Sequence, residues 1–325
     1  MTCGRFGRPS CGPRPASTAE SPVVGEIRSQ FSVLADTMLQ SSTSDKAETG
    51  APLTRTYAIG DVHGRLDLLR AAVDAISGHV ERAPFRVVFL GDYVDRGPDS
   101  RGVIDFLIEL QREWPVVCLK GNHEELMLQA VTQPGGGRLG RWLEYGGRNT
   151  LKSYGLTPES DLHEGIPKEH LRWMASLPRT TGDRHRIYVH AGLMPGTPVH
   201  RQNEQTCLWI RERFLQARAG EFEAHVVHGH TPVWEGKPEA SEPELLEHRT
   251  NLDTAAFATG VLSVAIFESD TPGGPVELLK VCGKALGRIT PDPVEEEASP
   301  EPSPQRRRRR FVSWFGPRAS AARAG

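Results

Sequence analysis

The chain has 325 residues, 38% hydrophobic and 25% charged, with a formal net charge of −2. That length allows one sizeable core or at most two domains, and the near-neutral balance gives no electrostatic reason to expect a nucleic-acid partner. The five cysteines (Cys3, Cys11, Cys118, Cys207, Cys282) contain no CxxC pair, which fits a reducing compartment better than a disulfide framework, and no apolar run approaches the ~20 residues of a membrane-spanning helix.

Residues 1–52 are rich in Ser, Thr, Gly and Pro and read as a flexible leader. Its basic start lacks the apolar stretch of a secretory signal, so the expectation is a soluble, cytoplasmic protein. Ile27, Phe31, Leu34 and Met38 would line one face of a short helix, and Met38 is an alternative start. From about Arg55 the pattern alternates. Thr56–Ile59 is a predicted strand ending at GDVHG (Gly60–Gly64), and Leu66, Leu69, Val73 and Ile76 recur at helical spacing. Arg86–Leu90 is a second strand, ending at GDYVDRG (Gly91–Gly97); Val103, Ile104, Leu107 and Leu110 mark the next helix. Val116–Leu119 is a third strand, ending at GNHE (Gly121–Glu124).

This order gives two βαβ units, hence a parallel sheet with its ligand site beyond the carboxyl ends of the strands. The Gly-rich stretch Gln133–His170 is expected to be a helical or loop insertion. Farther on, Arg186–Val189 runs into His190-Ala191-Gly192, His225–Val227 into His228-Gly229-His230-Thr231, and Val261–Phe267 reads as a closing strand. These elements define a catalytic domain over 53–290. Residues 291–325 form a tail that is first Pro/Glu-rich, then basic at Arg306–Arg310 beside Phe311, Val312, Trp314 and Phe315. A solvated tail is the expectation, with weak contact to an anionic surface as the sharper alternative.

The three Gly-led strings begin at Gly60, Gly91 and Gly121, 31 and then 30 residues apart. Each puts metal-capable or acid–base side chains just past a strand. A pair of divalent ions can clamp the attacking and leaving oxygens of a phosphoryl group, and needs one bridging carboxylate plus several further ligands. Asp61, His63 and Asp92 could hold one ion, and Asp92 could bridge to a second held by Asn122, His190 and His230. Mixed oxygen and nitrogen donors suit Mn, Fe, Zn or Ni. Gly60, Gly91 and Gly121 are expected to let the chain turn off each strand.

The order GDVHG…GDYVDRG…GNHE…HAG…HGHT resembles the PPP-type, calcineurin-like metallophosphoesterases, over about Arg55 to Phe267. The resemblance implies an α/β fold, a four-layer sandwich around a βαβαβ core, with two divalent ions, Mn foremost, in the loops above it. It implies the same ligands, Asp61, His63, Asp92, Asn122, His190 and His230, and metal-activated water as the nucleophile. His123 is then the general acid and Asp95 orients it, while Arg96, Asn122 and Arg211 (in LWIRERF) are the phosphate-binding groups. Glu124 is expected behind the ligands. His228 is not needed as one, and a structural or substrate-facing role is expected for it. One departure is visible. Relatives often read DTGA before the last strand, and this chain has Asp253-Thr254-Ala255-Ala256.

The function implied is hydrolysis of phosphomonoesters, foremost phosphoserine and phosphothreonine in proteins. The alternatives are a symmetrical dinucleoside tetraphosphate (Ap4A) hydrolase or a broad-specificity phosphoesterase, and, ranked lowest, a catalytically dead binding module. The presence of Asp95 and Glu124 tilts toward the protein phosphatase. The expected partners are therefore phosphoprotein or nucleotide substrates.

Overall fold

In the strand Arg55–Ile59 (β1) successive side chains leave on opposite faces. Tyr57 and Ile59 enter a core shared with helices, whereas Ala58 enters a different one between two sheets. Phe85–Phe89 (β2) repeats this, with Val87 and Phe89 on the helix side and Val88 on the other. Strands buried on both faces belong inside a layered fold.

The computed structural model describes residues 54–80, 84–233 and 242–285. The leader with Ile27–Met38, the tail with Arg306–Arg310, and thus both outer domain boundaries lie outside the described residues.

β1, β2 and Val116–Cys118 (β3) are parallel neighbours, connected by helices Leu66–His79 (α1) and Ser100–Glu113 (α2). Asp99 caps α2 by accepting the Gly102 N–H at 2.8 Å. The sheet is nevertheless mixed, correcting the parallel expectation. Val261–Glu268 (β9) pairs antiparallel with β1, and a further strand, Glu277–Cys282 (β10), forms the edge, so the order is β10-β9-β1-β2-β3. The predicted closing strand is therefore followed by another. β10 escapes sequence reading because it is half-exposed and lacks a clean alternation.

The second sheet has the order β4-β5-β6-β8-β7, formed by Thr180–Gly182 (β4), Arg186–Val189 (β5), His225–His228 (β6), Glu244–Leu245 (β7) and Arg249–Asn251 (β8). β5, β6 and β8 run parallel. Tyr188, Val227 and Leu252 meet Ala58, Val88, Leu90, Ala265 and Phe267 of the first sheet. Outside, α1 and α2 cover the first sheet, while Cys207, Ile210 and Phe214, in and beside two short helices of the region 204–215, cover the second. Four layers result, helix, sheet, sheet, helix.

Asn122–Thr132 (α3) follows β3. The Gly-rich stretch after it is largely helical, with Arg138–Trp142 (α4), a π turn at Leu143–Gly147, Arg148–Ser153 (α5), Leu162–Gly165 (α6) and Lys168–Ser176 (α7). It has its own core, where Trp142, Tyr145, Leu151, Leu162 and Ile166 pack with Leu126 and Met127 of α3. Among the described residues no helix is long and apolar enough to cross a membrane.

Candidate active site

The parallel strands of both sheets end in the same place. Asp61 and His63 follow β1, Asp92 follows β2, and Asn122 and His123 open α3 just past β3. His190 follows β5, and His230 follows β6. Every side chain in this set is buried.

Tight turns make that convergence possible. Among the described residues, the non-glycine positions with left-handed backbone are His63 (φ 45°), Asp92 (54°), Asp95 (72°), Arg96 (65°), His230 (68°) and Ala255 (49°), all within or beside the motifs. Side chains rarely adopt this conformation, and residues held in it cluster at functional sites. Gly91 also turns there, at φ 107°. Gly121 has a different use from the predicted turn, because a Cβ on it would lie 2.1 Å from Asp92 Oδ1. Close approach, rather than conformational freedom, requires glycine at that position.

Glu124 ties these turns together. Its Oε1 accepts the N–H of Tyr93 at 2.8 Å and of Val94 at 3.3 Å, and its Oε2 accepts those of Asp92 at 3.0 Å and Gly121 at 2.9 Å. It therefore stands behind Asp92, as expected. Burial raises its pKa to about 7 against the lowering effect of those N–H groups.

Two sets of donor atoms converge, His63, Asp92 and His123 in one and Asp92, His190 and His230 in the other. Asp92 is common to both. Its Oδ2 lies 3.5 Å from His63 Nε2, and its Oδ1 lies 3.3 Å from His190 Nε2. His63 and His190 each direct Nδ1 to a backbone carbonyl, of Val94 and Leu90, both at 2.9 Å. That fixes the tautomer and turns the Nε2 lone pair inward. Burial, foremost, lowers the pKa of His63, His190 (to about 3) and His230, so these imidazoles are neutral at pH 7 and able to ligate.

A metal pair fits this geometry. His190 Nε2 faces Asn122 Oδ1 at 2.9 Å, and with Nδ1 committed to Leu90 neither atom has a proton to share. A cation between two lone pairs resolves that opposition. His230 Nε2 and Asp61 Oδ1 are buried with no hydrogen-bond partner. The Asp61 pKa is raised by burial and then by the neighbouring Asp253 and Asp92 carboxylates, a charge excess that divalent ions would neutralise. Asp61 sits outside the two tightest sets, its Oδ2 taking the His230 N–H at 3.0 Å, and His123 stands with His63 and Asp92 instead.

His123 and Asp95 form a buried dyad, Nδ1 to Oδ2 at 2.7 Å, which leaves Nε2 toward Asp92 Oδ2 at 3.8 Å. Arg96 lies with Nη1 3.0 Å from His63 Nε2 and its guanidinium over the Phe257 ring, 4.9 Å from the centroid. Arg211 is at the rim, donating to Thr231 Oγ1 at 2.9 Å and to the His230 carbonyl at 3.2 Å. His228 turns inward instead of toward a substrate. Its Nδ1 lies 3.0 Å from the Gly229 carbonyl, its Nε2 3.2 Å from Arg249 Nη1, and its ring packs on Phe214.

Sequence reading missed several neighbours of these groups. Trp142 and Thr150 contact the Asp95 carboxylate, Phe257 lies under Arg96, and Asp253 acts electrostatically on Asp61. Only Asp253 had a signal, in its place one strand end farther along the second sheet.

The chain belongs to the calcineurin-like phosphoesterase family, whose pattern matches residues 54–259. Among curated relatives it is 24% identical to the bis(5'-nucleosyl)-tetraphosphatase PrpE (asymmetrical) of Oceanobacillus iheyensis, over 60% of this chain and 82% of that protein. It is 29% identical to serine/threonine-protein phosphatase 1 of Salmonella typhimurium, over 54% of this chain and 78% of that protein. Two other matched relatives are spanned over only 28% and 44% of their own length. Among solved structures, a serine/threonine phosphatase from Saccharomyces cerevisiae aligns over 83% of this chain and 90% of its own, at 15% identity and a TM-score of 0.46. The protein is thus a metallophosphoesterase with His and Asp groups able to bind metal ions.

Proposed function

We propose that the protein hydrolyses phosphomonoesters, foremost phosphoserine and phosphothreonine in proteins, with a catalytic domain over 53–290 and Mn as the working metal. The observation that supports this best is the His123–Asp95 dyad at 2.7 Å beside the candidate metal sets. Alkoxide is a poor leaving group and needs a proton as the P–O bond breaks. Asp95 holds Nδ1–H and favours the imidazolium, so Nε2 is the atom that delivers the proton. Two divalent ions, held by Asp61, His63, Asp92, Asn122, His190 and His230, would supply Lewis-acid charge and an activated water. Arg96 and Arg211 bring guanidinium forks to the phosphoryl oxygens, which suits their bidentate geometry, and Asn122 lies within the same set. The free thiols Cys118, Cys207 and Cys282 accord with a cytoplasmic setting.

The second reading is symmetrical hydrolysis of dinucleoside tetraphosphates, supported by a matched symmetrical bis(5'-nucleosyl)-tetraphosphatase. The deciding experiment assays purified, Mn-supplemented protein on a phosphoserine peptide and on diadenosine tetraphosphate side by side. Higher kcat/KM on the peptide is expected; a reversed preference rejects the protein-phosphatase reading.

A further inference from the structure

The helical stretch after α3 contains none of the five motifs, yet it grips the catalytic turn from above. Trp142 Nε1, at the end of α4, donates to both Asp95 oxygens at 3.0 Å. Thr150 Oγ1, in α5, donates to Asp95 Oδ1 at 2.6 Å and accepts the Asp95 N–H at 2.9 Å. With its proton committed to the carboxylate, Thr150 accepts from Ser100 Oγ at 2.8 Å. Ser100 Oγ in turn lies 3.0 Å from the Asp95 nitrogen. Trp142, Thr150, Ser100 and Asp95 are all fully buried.

The same stretch holds the next residue. The Gly146 carbonyl accepts the Arg96 N–H at 3.4 Å, and Asn149 Nδ2 donates to the Arg96 carbonyl. Asp95 and Arg96 both have left-handed backbone, at φ 72° and 65°. Such a pair persists only where its surroundings over-determine it. Tyr145, from the π turn between α4 and α5, lies edge-on to the His123 ring at 5.9 Å.

We infer that Trp142 and Thr150 are positioning residues for proton delivery to the leaving group, acting through Asp95 on His123. This rests on the reading of His123 as general acid. Asp95 has acceptor capacity in several directions, and without these donors its carboxylate is free to rotate about the Cβ–Cγ bond. Trp142 Nε1 spans both oxygens and fixes the carboxylate plane. Thr150 saturates Oδ1, so Oδ2 is left for His123 Nδ1. Two helices outside the metal-binding core thereby decide where the His123 Nε2 proton points. Geometric tolerance at such a centre is about half an ångström, so a rotated carboxylate costs turnover without removing metal.

The test compares Thr150→Val and Trp142→Phe with His123→Asn and the wild type. Each is assayed with Mn on p-nitrophenyl phosphate, a good leaving group, and on a phosphoserine peptide, a poor one; bound metal is measured in parallel. Thr150→Val and Trp142→Phe are each expected to lower peptide kcat about tenfold or more, and p-nitrophenyl phosphate kcat several-fold less, at unchanged metal content. Thr150→Ser, which restores the hydroxyl, should recover the peptide rate. Either variant suffices if the other does not fold. If His123→Asn shows the leaving-group split and both positioning variants lose the two substrates equally, or lose neither, the inference is overturned. If His123→Asn itself shows no split, it is the general-acid reading that fails.

Discussion

The Tyr93 N–H donates to Glu124 Oε1 at 2.8 Å, tying the turn after β2 to the first turn of α3. Glu124→Gln would leave one acceptor oxygen for four N–H groups and point an amide NH2 at the others. An unsatisfied buried donor costs about 1–3 kcal/mol. Removing a carboxylate whose burial is itself unfavourable offsets part of this. A net loss of about 2 kcal/mol is expected, read as a lowered Tm, together with weaker Mn binding by calorimetry. An unchanged Tm would show that the turns hold without this residue.

Asp92→Asn keeps the shape of the shared residue but removes its charge, while both oxygens face imidazole nitrogens of different candidate sets. Loss of at least one bound ion per chain is expected by elemental analysis, with loss of hydrolysis on every substrate. Full occupancy of two ions in this variant would mean that Asp92 does not bridge.

Ala255 stands where the family resemblance places a glycine, and its backbone takes a left-handed turn at φ 49°. Ala255→Gly relieves strain of about 1 kcal/mol but exposes the space of a buried methyl, a loss of about 0.8 kcal/mol. The two nearly cancel, so a change within about 1 kcal/mol is expected. Ala255→Val adds a β-branch in a conformation such residues avoid, and should cost about 2 kcal/mol or more. Denaturant midpoints of the two variants measure this contrast.

The Asp95 carboxyl, buried away from water, has its pKa raised from 3.8 to about 7 despite the donors from Thr150 and Trp142. Between those values the folded state holds a proton that the unfolded chain releases. The contribution is therefore full at low pH and is lost as the pH rises through 7. In chelator-treated protein, Asp95→Asn should gain several degrees of Tm relative to wild type on going from pH 5 to pH 8. A difference in Tm that stays constant with pH would show that Asp95 titrates as an ordinary carboxylate.

The strands β1, β2, β3, β5 and β6 were legible because each is an apolar run leading to Gly or a candidate ligand, and β9 because of its long apolar run; their observed bounds lie within one or two residues of the expected ones. β4, β7 and β8 are two or three residues long, too short for any period to register. The candidate ligands were legible through strand-end spacing, which sets their order in space as well as in the chain. Trp142 and Thr150 were not. On a helix each reads as an ordinary interior residue, and only the folding of α4 and α5 over the 91–97 turn brings them to Asp95. Phe257 was hidden for the same reason, its contact with Arg96 reaching across the whole second sheet in sequence.

Neither sheet owns the centre. The first contributes Asp61, His63, Asp92 and Asn122, and the second contributes His190 and His230. During synthesis Asp61, His63, Asp92 and Asn122 emerge from the ribosome first, and His190 and His230 follow only after the helical stretch between them. β1, at the middle of the first sheet, then waits for β9, which is translated later still. The donor set of Asp92, His190 and His230 is therefore complete only once β6 and the turn after it have been made.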